Sequence, residues 1–249
     1  MTAVFDLADV RYAYRDTPAL NGVSLTIEAG RRVALLGANG SGKSTLLRLL
    51  DGLYFPGGGT VTAFGAPLTA QSLADQAQAF AFRRRVGYVF QNADVQLFNP
   101  TVFDELAFGL LQLGLPRAEI RARVEAALEA FGLAPLRDRA PHRLSGGEKK
   151  RVALASVLIL DPEVLLMDEP TAALDPRGAG EIIGMLSALR DSGRTVITAT
   201  HDLDSLPEIA DLAVVLQAGR VAAVGPVEDI LADRDLLART RLLMPHRLG

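Results

Sequence analysis

Gly37-Ala38-Asn39-Gly40-Ser41-Gly42-Lys43-Ser44 is the stretch on which the reading of this chain turns. It follows the apolar run Val33-Ala34-Leu35-Leu36 and leads into Thr45-Leu46-Leu47, so a strand, a glycine-rich turn and a helix start are joined in that order. This is the context that makes such a pattern a phosphate-binding loop rather than an ordinary turn. The glycines let consecutive backbone N–H groups curl inward around an anion, and the helix start adds its positive dipole end. Lys43 is expected to bridge the β- and γ-phosphates of a nucleoside triphosphate, with the Ser44 hydroxyl on Mg²⁺.

Outward from the loop, short apolar runs alternate with segments of helical period, which predicts an α/β domain around a mainly parallel sheet. Strands are expected at 32–36, 86–90, 164–168 and 195–200, and helices at 43–50, 101–113, 117–131, 146–160 and 176–191. The first 30 residues and 60–65 read as short strands with turns, an antiparallel β subdomain beside the parallel core. Residues 92–145 contain no strand pattern and read as an inserted helical subdomain. Val214-Val215-Leu216 and residues 220–224 form a hairpin about a Gln-Ala-Gly turn, and a short extension follows about residue 226. The whole of 1–249 is expected to form a single domain.

Composition narrows the function classes. The chain of 249 residues is 49% hydrophobic and 22% charged, enough to build a substantial core. Its net charge of -3 and dispersed cations argue against a protein that neutralises many nucleic-acid phosphates. Arg83-Arg84-Arg85 reads as a solvated helix end. With no cysteine there is neither a disulfide framework nor a thiolate nucleophile. The N-terminal residues do not form a secretory signal, and no apolar stretch approaches the roughly 20 residues of a membrane helix. Any work at a membrane is expected from its side, through a partner.

The second half of the phosphate site is Val164-Leu165-Leu166-Met167-Asp168-Glu169, an apolar strand ending in two carboxylates. Ligands of open parallel sheets bind beyond the C-terminal ends of the strands, which brings Asp168 towards the loop. Asp168 is expected to hold Mg²⁺ through water and Glu169 to polarise the attacking water. Gln91 and His201 each follow a predicted strand, where the first can ligate Mg²⁺ and sense the γ-phosphate and the second can hydrogen-bond that phosphate and fix the water.

Leu144-Ser145-Gly146-Gly147-Glu148 has no role in a lone nucleotide site. Together with the phosphate loop it resembles the signature of the ABC transporter ATPases, and the resemblance covers nearly the whole chain. It implies Walker A at Gly37 to Thr45, including Asn39, Gly40, Ser41 and Gly42, a Q-loop at Gln91, and Walker B at Val164 to Glu169. It further implies a D-loop at Ala173-Leu174-Asp175, a switch histidine at His201, and an adenine-stacking aromatic at Tyr14, with Tyr12 as the alternative. The implied assembly is a head-to-tail dimer that closes on two ATP, in which Ser145 and Gly147 of one copy reach the γ-phosphate held by Lys43 of the other, with Gly146 also among the implied nucleotide-binding residues. The usual fifth signature residue is Gln; here it is Glu148.

Within that family, Val89-Phe90-Gln91-Asn92-Ala93-Asp94-Val95-Gln96-Leu97-Phe98-Asn99-Pro100-Thr101-Val102 is similar to the energy-coupling-factor ATPases, especially those of cobalt and nickel importers. That implies a transmembrane coupling protein and a separate substrate-binding membrane protein as partners, and a peripheral place on the cytoplasmic face of the membrane. A vitamin such as biotin is the alternative cargo. A DNA-repair or translation ATPase of the family would carry a long coiled-coil insertion or two cassettes, and a non-catalytic cassette would not keep Lys43, Glu169 and His201 together. Val95, Leu97, Phe98, Val102 and Phe103 are expected to form an exposed apolar cluster that meets the membrane partner.

Overall fold

The computed structural model describes residues 2–242. Among them two sheets form. The larger combines β3 (Arg32–Leu36), β6 (Val86–Val89), β7 (Val164–Asp168), β8 (Thr195–Thr200), β9 (Leu212–Gln217) and β10 (Arg220–Pro226) in the order β10-β9-β3-β8-β7-β6. All neighbours are parallel except the β9–β10 pair. Every residue of β3, β7 and β8 is buried, as strands covered on both faces require, so their sequences show no apolar-polar alternation, and Arg32, Asp168 and the β8 threonines are buried with the apolar residues.

The smaller sheet is antiparallel, in the order β2-β1-β4-β5, from β1 (Ala3–Tyr14), β2 (Thr17–Glu28), β4 (Gly58–Ala63) and β5 (Ala66–Pro67). Here the expectation of short strands gives way to two strands of 12 residues each. Register shifts between Leu7 and Val10 and between Tyr12 and Ala13 break the two-residue alternation, and Asp9 takes a positive φ of 48°. These bulges disguised the length of the strands.

Ten helices accompany the sheets among the described residues: α1 (Lys43–Leu50), α2 (Ala70–Ala74), α3 (Gln76–Arg85), α4 (Val102–Gln112), α5 (Arg117–Ala130), α6 (Gly146–Leu158), α7 (Pro176–Ser187), α8 (Leu206–Ile209), α9 (Val227–Ala232) and α10 (Arg234–Arg239). Three of the long ones begin at side-chain caps, Thr101 for α4, Ser145 for α6 and Asp175 for α7, each accepting a bond from a first-turn N–H, whereas α5 starts after Pro116 with no side-chain cap. The short α2, α8, α9 and α10 have too few turns to show a period and were not foreseen. α3 does end in the three arginines, where Arg85 pairs with Glu163 at the foot of β7.

Three apolar cores result. One lies between the two sheets around α1, and a second covers the opposite face of the large sheet with α7 to α10. The third is helical, built from Val102, Leu106 and Leu110 of α4 and Val124 and Leu128 of α5. Helix α6 joins the last two, with Val152 and Ala155 in the helical core and Ala153 and Leu154 against the sheet. A movement of the helical segment is therefore tied to the sheet through α6.

Candidate functional site

The phosphate loop leaves β3 at Gly37, whose φ of 153° and surroundings tolerate no side chain: a Cβ there meets Leu216 O and Ser41 Oγ at 2.4 Å. At Gly42 (φ 108°) a Cβ meets Ala19 O at 2.8 Å, just before α1 begins. These two positions need glycine for geometry alone. Lys43, buried, donates to Gly37 O at 2.7 Å and Ala38 O at 3.3 Å. Burial pushes its ammonium below the ordinary lysine range, while Glu169 and Asp168 pull the other way.

Both carboxylates arrive from β7, which pairs with β8 so that Asp168 lies opposite Ala199. Ser44 Oγ donates to Asp168 Oδ1 at 2.9 Å, and the buried Tyr88 hydroxyl approaches Oδ2 at 3.5 Å. Burial and the neighbouring Asp168 charge push the Tyr88 phenol upward, so it stays a neutral donor. The next residue, Glu169, has left the strand with φ of 47°, a left-handed conformation that a non-glycine residue adopts at a cost. It is held by its N–H, which donates to Ala199 O at 2.8 Å, and by its carboxylate, where Oε1 lies 2.9 Å from His201 Nδ1 and 3.9 Å from Lys43 Nζ. The turn aims the carboxylate away from Asp168 and at the loop lysine.

A cavity of about 380 Å³ opens over this arrangement, lined by Tyr14, Asn39, Gly40, Ser41, Gly42, Lys43, Ser44, Thr45, Gln91, Glu169 and His201. Its size suits a nucleotide. Tyr14 is partly exposed at its rim, with its hydroxyl 3.1 Å from Thr45 Oγ1. Tyr12 stacks instead on Tyr54, centroids 5.2 Å apart and planes within 7°, and takes no part in the cavity.

Ser145, Gly146, Gly147 and Asp175 are not brought to this cavity. They line a separate one of about 550 Å³ with Glu148, Arg151 and Arg177. Ser145 and Glu148 cap the start of α6 reciprocally: Ser145 N donates to Glu148 Oε2 at 2.7 Å and Glu148 N to Ser145 Oγ at 3.3 Å. The bond from the Ser145 backbone N–H holds the Glu148 carboxyl below its usual range, so it is an anion at neutral pH. Asp175 Oδ1 accepts from Gly178 N at 2.7 Å as the cap of α7.

The apolar cluster after Gln91 differs from expectation. Val95 and Phe98 are each 67% exposed, and Phe98 meets Phe108 edge-on at 5.0 Å, with Leu111 exposed on the same helix. Val102 is fully buried, Leu97 and Phe103 pack against the cores, and the Arg137 guanidinium lies 4.4 Å over the Phe103 ring. Capping by Thr101 starts α4 at Val102 and turns that residue inward.

Two residues were missed. Tyr88 sits in an apolar strand and gave no signal beyond its hydroxyl. Lys150 stands between Lys149 and Arg151 and reads as a solvated charge, yet it is only 5% exposed. Its ammonium donates to Gln91 O at 2.5 Å and Glu169 O at 3.3 Å. Burial lowers it to about 8, against the opposing pull of Asp168 and Glu169. Helical phase could have found it, since 150 shares a face with the sheet-packed Ala153 and Leu154.

A parallel sheet that delivers a phosphate loop, a glutamate and a histidine to one cavity, with an aspartate bonded to the loop serine and a Ser-Gly-Gly helix start held apart, defines an ATP-binding cassette. The chain belongs to the ABC transporter family, whose model matches residues 20–172, and it is an ATPase of that family. It is 63% identical to the nickel import ATP-binding protein NikO of Rhodobacter capsulatus over 98% of this chain and 97% of the relative. It is 45% identical to the energy-coupling factor transporter ATP-binding protein EcfA of Carboxydothermus hydrogenoformans, over 98% of this chain and 88% of that one. Among solved structures, CbiO1 of Clostridium perfringens, described as part of the ABC transporter complex cbiONQ, superposes with a TM-score of 0.83 at 37% identity, covering 100% of this chain and 98% of that one. The ATP-binding cassette MJ0796, solved as a dimer in a post-hydrolysis state with ADP and phosphate, gives a TM-score of 0.80 at 29% identity over 90% and 98%.

Proposed function

We propose that this chain hydrolyses ATP as a head-to-tail pair and thereby powers an energy-coupling-factor importer of nickel or cobalt ions. The observation that carries the ATP chemistry is the convergence of Lys43, Glu169 and His201 within hydrogen-bond and ion-pair reach. The cargo rests on similarity to a nickel import ATPase along nearly the whole chain.

In this reading Tyr14 stacks on adenine, and the N–H groups from Gly37 to Thr45 receive the phosphates. Lys43 moves its ammonium from the loop carbonyls onto the β- and γ-phosphates. Ser44 Oγ and Asp168 Oδ1, already 2.9 Å apart, form with Gln91 an all-oxygen set that suits a hard divalent cation, so the residues present fit Mg²⁺. When bound, that ion supplies charge neutralisation at the phosphates. Glu169 accepts a proton from the attacking water, and His201, oriented by the carboxylate through Nδ1, presents its other nitrogen to the γ-phosphate. Ser145, Gly146 and Gly147 meet the γ-phosphate of the second copy, whose site is then completed only by closure, with Asp175 at the same interface. Residues 2–242 are proposed to act as one ATPase unit, with 92–145 as its helical subdomain; residue 1 and 243–249, part of the expected 1–249 domain, lie outside the described residues.

No helix among the described residues is long and apolar enough to cross a membrane. The proposed place is the cytoplasmic face of the membrane, docked under a transmembrane coupling protein and a substrate-binding membrane protein.

The test is the assembly itself. ATP with Mg²⁺ should shift Glu169→Gln protein from monomer to dimer by light scattering, and Ser145→Arg should abolish both that shift and hydrolysis with nucleotide affinity retained. An unchanged mass on adding ATP contradicts the shared-site reading.

A further inference from the structure

We propose that Lys150 is a positioning residue that ties Gln91 to Glu169 and so holds the hydrolytic carboxylate in register. The inference rests on the role given to Glu169 above and extends it to a residue outside the nucleotide cavity.

Glu169 occupies a left-handed backbone conformation (φ 47°), which persists only where neighbours over-determine it. Its N–H is secured by Ala199 O and its carboxylate by His201. Its carbonyl is secured by Lys150 Nζ at 3.3 Å, and the same ammonium reaches Gln91 O at 2.5 Å. Lys150 is 5% exposed, so water cannot replace it as donor to these carbonyls. One cation thus sets the separation of two residues from different strand ends.

The grip continues along the same helix. Lys149 pairs with Asp94 at 2.6 Å, and Gln96 donates to Ala153 O at 2.9 Å while accepting from Phe90 N at 3.1 Å. Residues 91–96 are therefore fastened to α6, whose first residue follows Ser145. Lys150 is where that fastening touches Glu169. A displacement of α6 is transmitted to the carboxylate through this ammonium, not through the nucleotide.

The test is steady-state hydrolysis by the full chain with Mg²⁺ and ATP, together with binding of a fluorescent ATP analogue. Lys150→Met keeps the aliphatic stem and removes the donor. Its kcat should fall about 30-fold, as a small misplacement of a reacting group produces, with KM and analogue affinity within about threefold of the parent. Lys150→Arg, which can donate to two carbonyls, should recover turnover to within about fivefold. If Lys150→Met does not fold, Lys150→Gln takes its place with the same expectation. Turnover of the donor-deleted variant within about threefold of the parent overturns the proposal, as does an equal loss of kcat and nucleotide affinity, or no recovery in the Arg variant. Glu169→Gln run in parallel separates the two claims. If it is as active as the parent, the role of Glu169 fails and this proposal with it; if it is inactive while Lys150→Met is not, only this proposal fails.

Discussion

Replacing Glu169 by Gln removes one charge and almost nothing else. The amide oxygen can still accept from His201 Nδ1, now 2.9 Å from Oε1, and the side chain keeps its length within a pocket that leaves Glu169 only 7% exposed. What is lost is a base able to take a proton from water. General-base catalysis contributes about 10²–10⁴-fold, so hydrolysis should fall by at least about 100-fold, or about 2.7 kcal/mol in the barrier. Nucleotide affinity should move the other way or not at all. The carboxylate stands 3.9 Å from Lys43 Nζ, where it competes with the γ-phosphate for that ammonium, and an amide competes less. Phosphate release under saturating ATP gives the first quantity, and titration with a fluorescent nucleotide gives the second. Turnover within a few-fold of the parent would falsify the assignment of Glu169, because among the described residues no other carboxylate lines the cavity.

Of the wider cluster read from the sequence, Val95 and Phe98 are the exposed pair, and they are the surface proposed to meet a membrane partner. Val95→Ser with Phe98→Ser should reduce co-purification with the transporter's membrane subunits at least about tenfold, leaving hydrolysis by the isolated chain near parental, since such anchors carry most of an interface's energy. Parental co-purification moves the docking surface elsewhere. Asp51 gives a prediction about stability. It caps the C-terminal end of α1, where burial opposes a negative charge, and its carboxyl rises to about 7 despite Arg83. The folded chain therefore holds a proton that the unfolded chain has released above the ordinary value of 3.8, so stability falls as pH rises from about 4 to about 7 and is then level. Asp51→Asn removes this loss. Its melting temperature should exceed the parent's by about 5 °C at pH 8 and by much less at pH 4.5, and an equal gain at both removes the titration of Asp51 from the explanation.

How much of this was legible follows from how local each signal is. The phosphate loop is one contiguous pattern, and the strand that ends at Asp168, just before Glu169, is apolar on both faces up to that end, so their type and end can be read directly, and the parallel core with them. β1 and β2 were shortened in the reading because bulges at Asp9 and near Tyr12 shift the register and erase alternation. The sequence pattern puts Val102 on the surface because a run of apolar residues does not say where a cap starts a helix. The place of Tyr14 rather than Tyr12 at the cavity rim depends on the stacking of Tyr12 upon Tyr54, 42 residues further on, a contact no local pattern encodes. Lys150 is the sharpest case: one lysine in a charged triplet is buried by the phase of its helix, and its partners are two backbone carbonyls that carry no sequence signal.

The proposed function requires that ATP hydrolysed at Glu169 move a transition-metal ion across a membrane. Its most direct test is uptake of radioactive nickel by vesicles that hold the membrane subunits together with this chain, with ATP and Mg²⁺ on the side where the chain is bound. Accumulation should require ATP, stop with Glu169→Gln in place of the parent chain, and be competed by cobalt. ATP hydrolysis that proceeds in those vesicles with no nickel or cobalt accumulated, or accumulation that continues with the Glu169→Gln chain, contradicts the proposed function.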